Sequence, residues 1–188
     1  MSKIYIFRSG KVNTTENIFL GWKNIPLSNI GINEAKFVSK KLKNIKFDYA
    51  FCSDQIRGKQ ALLEVVKNKK NVKIIVDPRL REKNYGIFTG MSKELVKNYL
   101  SNKFVEIKKG RNSVVQEGEN MQLVGARVFS FLNDVFKLIS KEDKNILICT
   151  HTNPMRLMQE FFEDLEYYKT SNLEHDPKKI LIYEVKFE

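Results

Sequence analysis

Short apolar runs recur along the chain at Lys3 to Phe7, Asp48 to Cys52, Val72 to Val76 and Asn145 to Cys149. Each has the length of a strand and lacks the alternation of a half-wetted one, so the pattern predicts strands covered on both faces. Between them, apolar positions fall at helical spacing: Ile32, Ala35, Val38 and Leu42; Ala61, Leu62, Val65 and Val66; then Val124, Val128, Phe131, Leu132, Val135 and Leu138. The last segment, Ile180 to Phe187, sets Glu184 and Lys186 between Tyr183, Val185 and Phe187, which predicts a strand near the sheet edge with one wetter face. Alternating strands and helices predict an α/β fold, a three-layer α/β/α sandwich around a mostly parallel central sheet. Neither a repeat nor a linker interrupts the pattern, and 188 residues suffice for one core, so residues 1–188 are expected to form a single domain. Asn102 to Gly118, polar and basic with two glycines, reads as one long irregular connection of the kind that roofs a site.

In sheets of this kind ligands bind beyond the carboxyl ends of the strands, so the residues following each run carry the candidate chemistry. Arg8-Ser9-Gly10 follows the first run, and Ser53-Asp54 the second, with Arg57 at the start of the next helix. Beyond the third lies Arg79 to Gly86, including Glu82, and beyond the fourth Thr150-His151-Thr152-Asn153. Two arginines, a carboxyl group and a histidine thus converge on one rim. A tetrahedral phosphate asks for that set: forked donors for its oxygens, backbone N–H groups at a helix start, and an acid for a leaving oxygen.

Composition narrows the partners. The chain has 33 Lys+Arg against 22 Asp+Glu, a formal +11, which admits nucleic acid, an anionic membrane or a phosphorylated small molecule. Only seven of the 33 cations are arginine, the fork that reads base edges, so a nucleic-acid partner is disfavoured and most of the surplus reads as surface lysine. Cys52 and Cys149 are far apart and only His151 and His175 are present, which leaves no familiar zinc-ligand set; the cysteines read as small buried hydrophobes. The N-terminal apolar stretch is too short for a signal peptide and no run approaches membrane-spanning length, so a soluble, cytoplasmic protein is expected.

Several ordered motifs bring a family into view. Arg8-Ser9-Gly10 stands where an Arg-His-Gly would stand. Gly21-Trp22 precedes Pro26-Leu27-Ser28, with Gly31 and Glu34-Ala35 after it. Ser53-Asp54 is followed by Arg57 and Gln60, and Leu80 to Gly86 continues into Thr89-Gly90-Met91-Ser92-Lys93. Gly118-Glu119-Asn120 precedes Arg127-Val128, and His151-Thr152-Asn153 precedes Arg156. Together these resemble the histidine phosphatase superfamily, and within it the cofactor-dependent phosphoglycerate mutase branch. The resemblance spans nearly the whole chain.

The resemblance implies roles. In that family the first-motif histidine attacks phosphorus, two arginines and a second histidine hold the phosphoryl oxygens, and a glutamate protonates the leaving oxygen. Carried over, Arg8 and Arg57 are phosphate clamps, His151 the second histidine, Glu82 the general acid, and the Thr152 N–H a further donor. Gly21, Lys83, Asn153 and one of Asn13 and Asn17 become candidate substrate contacts. The nucleophile position is Ser9. An alkyl hydroxyl needs a base and forms a stable ester, whereas an imidazole forms a cleavable phosphoramidate, so Ser9 is expected to fail or stall. His175, just before the final strand, reads as an exposed loop histidine rather than a rescue.

Other departures bear on substrate. The connection from Gly90 to Gly118 is short for a mutase, so the cap around residues 91–118 looks trimmed; a broad phosphomonoesterase is the alternative to a mutase. Lys108, Lys109 and Arg111 suit either a second anionic group or an ordinary solvated loop. Lys83 stands for an arginine and loses its fork, Thr152 replaces a glycine and Asn120 a serine. A small phosphorylated metabolite is the expected partner. No further cofactor is expected, beyond a bisphosphoglycerate-type phosphoryl donor if the parent activity is a mutase. Two origins of Ser9 stay open: a degenerate member that binds phosphate esters without turnover, or an altered form of an active enzyme.

Overall fold

A computed structural model describes residues 1–113 and 115–187, except for the side chains of Asn102, Lys108 and Lys109. Its sheet has the order β3-β2-β4-β1-β5, from β1 (Ser2–Arg8), β2 (Tyr49–Cys52), β3 (Lys73–Val76), β4 (Asn145–Thr150) and β5 (Leu181–Val185). The first four strands run parallel and β5 lies antiparallel on β1 at the edge, as its alternating polarity predicted.

The pleat sorts the apolar runs into two cores, which is why the fold has three layers. Ile4, Ile6, Ile146 and Ile148 face α5 (Met121–Ile139) and α6 (Thr152–Phe162). Tyr5, Phe7, Leu147 and Cys149 face the other way, onto α1 (Asn29–Lys41) and α2 (Ile56–Val66). Local signals set the helix starts: Ser28 caps α1 through the Gly31 N–H, and Asn120 caps α5 through the Leu123 N–H at 2.9 Å.

Two expectations need correction. The run Val72 to Val76 is not covered on both faces; β3 is the other edge strand, and Ile74 and Val76 are 44% and 45% exposed. Nor is the stretch from Asn102 irregular throughout. Ser101–Lys103 forms a 3-10 turn and α4 (Phe104–Lys109) follows α3 (Lys93–Leu100), since Phe104 and Ile107, three residues apart, join Val96 and Val115 in a small core over Phe19, Tyr85 and Phe88. A last short helix, α7 (Tyr167–Thr170), lies between α6 and β5. No helix among the described residues is long and apolar enough to cross a membrane.

The register fixes the rim. Cys149 pairs with both Phe7 and Cys52, and Arg8 pairs with Thr150, so Ser9, Ser53 and His151 emerge side by side. There β1 feeds α1 on one face while β4 feeds α6 on the other, the switch point at which open α/β sheets bind ligands.

Candidate active site

At this switch point His151 lies between two hydroxyls, with Ser9 Oγ 3.0 Å from Nδ1 and Ser53 Oγ 2.7 Å from Nε2. All three residues are buried, Ser9 and His151 being 4% and 2% exposed. Ser53 reaches the ring because position 58 on α2 is glycine: a Cβ there would stand 2.6 Å from Ser53 Oγ. Burial, followed by the positive charges of Arg57, Arg127 and Arg8, holds the His151 pKa well below the usual histidine range, so the ring is neutral.

Arg8 and Arg57 bring positive charge to the same place. The Arg8 Nε–H donates to the His175 carbonyl at 2.6 Å, and Arg57, 2% exposed, donates to the carbonyls of Gly21 and Lys23 at 2.8 Å each. Gly21 turns toward Arg57 with φ +44°, a conformation glycine tolerates best. Among the described residues neither guanidinium forms an ion pair with a carboxylate. Burial lowers the pKa of both from the usual arginine value, opposed by the negative charges of Glu34, Glu82 and Asp176 at Arg8 and of Glu82 at Arg57.

Glu82 closes the arrangement. Its carboxylate accepts from the N–H groups of Thr152 (3.1 Å), Asn153 (3.2 Å) and Lys83 (2.8 Å), and from Asn153 Nδ2 (2.9 Å). Because His151 at the N-cap supplies no side-chain cap, Glu82 caps α6 from a distant turn. The Thr152 N–H, expected as a phosphate donor, is therefore engaged by Glu82.

The turn carrying Glu82 is braced by residues to which no role was given from sequence. Arg127 forks onto Glu119 at 2.8 and 2.9 Å and donates to the carbonyls of Arg79, Arg81 and Glu82. Gln55 bridges the Gly21 carbonyl (2.9 Å) and the Glu82 N–H (3.0 Å). Trp22 donates its indole N–H to the Glu82 carbonyl at 2.8 Å while Arg81 stacks on its ring and pairs with Asp54, so Trp22 is a packing residue here. The register of Ser53 beside a strand end was the available sequence signal; Arg127 carried none beyond its place in a motif, and Gln55 carried none.

A cleft of about 600 Å³ adjoins these residues through Arg8, Glu82 and Thr152, and is lined further by Phe19, Gly21, Tyr85, Lys93, Asn153, Arg156 and the segment Glu174 to Pro177, with Ser9, Arg57 and His151 behind its wall. His175 is thus not an exposed loop residue. It is 3% exposed, lines the cleft, and bonds through Nε2 to Gln159 Oε1 at 2.7 Å, because the segment before β5 folds back onto α6. Its Nδ1 has no hydrogen-bond partner among the described residues, and burial, with Lys179, Arg156 and Arg8 nearby, lowers its pKa to about 4.

Other candidates lie elsewhere. Lys83 is fully buried but faces away from the cleft, donating to the Ile107 carbonyl at 2.8 Å, and burial brings its pKa down to about 8. Asn13 and Asn17 are exposed and do not line the cleft; Asn17 Oδ1 accepts from Lys93 at 2.8 Å. Arg111 sits over Tyr167 and pairs with Glu160 at 3.7 Å, away from the rim, and the side chains of Lys108 and Lys109 lie outside the described residues.

The sequence profile of the histidine phosphatase superfamily (branch 1) matches residues 4–188. A 2,3-bisphosphoglycerate-dependent phosphoglycerate mutase of Rhizobium meliloti is 32% identical over 148 residues, covering 75% of this chain and 69% of that protein. The structure of YhfR from Bacillus stearothermophilus superposes with a TM-score of 0.90 at 21% identity, covering 99% of this chain and 92% of that one. The alpha-ribazole phosphatase of Shigella flexneri superposes with a TM-score of 0.85 at 17% identity, covering 98% and 91%.

Proposed function

The chain belongs to the histidine phosphatase superfamily, and on that premise we propose that it binds small phosphate monoesters over Arg8, Arg57 and His151, with turnover arrested because Ser9 occupies the position of the nucleophilic histidine. The observation that carries this reading is the pair of arginines, Arg57 buried and Arg8 half-buried, that act on His151. Two desolvated guanidinium groups hydrogen-bonded to carbonyls, beside a neutral imidazole, leave positive charge that a phosphoryl group would neutralise. Glu82, which lines the cleft and caps α6, is the group we assign to the ester oxygen.

The cleft wall favours a phosphatase-type parent activity over a mutase. Glu174 and Asp176 flank His175 on the side of Arg8, so a second phosphate or a carboxylate on the ligand would meet negative charge. The cations opposite also hold partners of their own, Lys93 on Asn17 and Arg156 on the Leu173 carbonyl at 2.6 Å. The Glu174 and Asp176 carboxylates support a ligand with one phosphoryl group over the 2,3-bisphosphoglycerate named for the mutase relatives.

Titration calorimetry with inorganic phosphate and with a neutral-alcohol monoester tests the proposal. A charge-assisted hydrogen bond is worth about 1.5–3 kcal/mol, so Arg8→Ala and Arg57→Ala are each expected to weaken binding roughly 10- to 100-fold. Unchanged affinity in both variants refutes the site. Tighter binding of bisphosphoglycerate than of the monoester refutes the phosphatase-type reading.

A further inference from the structure

Resting on the phosphate-ester reading above, the contact between Ser9 and His151 says where turnover stops. A neutral imidazole has one N–H and one lone pair. Ser53 Oγ lies 2.7 Å from Nε2 and Ser9 Oγ 3.0 Å from Nδ1; in the tautomer that carries its proton on Nε2, Nδ1 presents its lone pair to the Ser9 hydroxyl. Hydroxyl, base and orienting group then stand in the order required of an activated nucleophile. Ser53 is held against the ring by the bare Cα of Gly58, so the orienting contact is built into the α2 packing.

The surrounding charge decides when the base works. In the ligand-free chain Arg57, Arg127 and Arg8 oppose protonation of His151. A bound phosphate dianion offsets those charges and raises the basicity of the ring as it brings phosphorus to Ser9. We propose that Ser9 accepts the phosphoryl group of a bound donor and keeps it as phosphoserine, so that each chain reacts once.

In the step, the Ser9 Oγ–P bond forms as the donor's P–O bond breaks, and the Ser9 proton passes to His151 Nδ1. The leaving oxygen departs as its anion or takes that same proton, so donor plus serine gives phosphoserine plus the freed alcohol or acid. Release is blocked by chemistry rather than geometry. Water would have to expel a serine alkoxide, a far poorer leaving group than the imidazole of a phosphohistidine, and Nδ1 then faces the ester oxygen instead of a water.

Ser9 is 4% exposed, so the probes are the small donors acetyl phosphate and carbamoyl phosphate. The full chain is incubated with each and read by intact mass, peptide mapping and acid treatment, and inorganic phosphate binding is measured in parallel. The expected result is a gain of one phosphoryl group per chain, mapped to Ser9 and stable to acid. Ser9→Ala abolishes it, and His151→Gln slows it by about a hundredfold or more. Three results overturn the inference while the phosphate site stands: phosphate binds but no label forms, the label is acid-labile and maps to His151, or Ser9→Ala labels as before. Loss of both labelling and phosphate binding in the unaltered chain overturns the phosphate-ester reading itself.

Discussion

Replacing Arg127 with leucine removes the brace of the turn that carries Glu82. The guanidinium side chain is 15% exposed and its partner Glu119 14%. It makes two bonds to that carboxylate and three to the carbonyls of Arg79, Arg81 and Glu82, at 2.6–3.0 Å. Truncation strands Glu119 with the Asn84 N–H at 2.8 Å, and the Glu82 carbonyl with the Trp22 indole. Breaking a buried pair by deleting one partner costs about 3–5 kcal/mol. The partial exposure here lets water reach the freed oxygens, which places the loss near the lower end, about 3 kcal/mol. For a chain of this length, 1 kcal/mol moves Tm by about 2–4 °C, so a fall of roughly 6–12 °C is expected. Urea unfolding of R127L, E119L and the double variant measures it. Because the double variant leaves no stranded carboxylate, it should be more stable than R127L. Phosphate affinity of the folded single variant should fall several-fold as Glu82 loses its position. A loss under about 1 kcal/mol with unchanged phosphate affinity refutes the bracing role, since that is the size of a surface pair.

Three further outcomes follow from the geometry. Gly58→Ala places a methyl group 2.6 Å from Ser53 Oγ, so Ser53 must leave His151; a stability loss of about 1–3 kcal/mol and a shifted His151 ring-nitrogen NMR signal are expected, and an unchanged signal counts against the contact. The folded His175 pKa of about 4 lies below the ordinary 6.5, so the unfolded chain binds more protons between those values. Stability should therefore fall as pH drops from about 6.5 to about 4, by up to roughly 3 kcal/mol from this group, and His175→Gln should flatten that part of the profile; an identical slope in both proteins rejects it. Lys83→Met removes a buried ammonium held on one carbonyl and should leave the fold as stable or more stable near neutral pH, as read by urea midpoint; a loss above about 2 kcal/mol would show that the ammonium is itself structural.

The sheet and its rim were legible because apolar runs ended on polar, chemistry-bearing residues, and parallel register places such ends level. Arg8, Ser9, Arg57, Glu82 and His151 are brought together on that logic. Directions of side chains were not legible. Lys83 neighbours Glu82 in sequence yet donates to the Ile107 carbonyl of α4, a long-range contact that no local pattern encodes. His175 lies 24 residues beyond His151, and its burial depends on packing against Gln159 of α6, which no local pattern encodes. The exposure of β3 depends on which strand ends the sheet, a long-range property. Glu82 capping α6 is likewise a contact between residues 70 apart, so the Thr152 N–H looked available in the sequence and is engaged in the fold.

The central claim is that Ser9 holds the nucleophile position and alone arrests turnover. Ser9→His, assayed beside the unaltered chain for steady-state release of inorganic phosphate from a small monoester, tests it most directly. The histidine variant should turn over many times through an acid-labile phosphoenzyme, while the serine chain releases no more than one equivalent of the alcohol. Equal sustained turnover by the two proteins, or none by the histidine variant while it still binds phosphate, would contradict the claim.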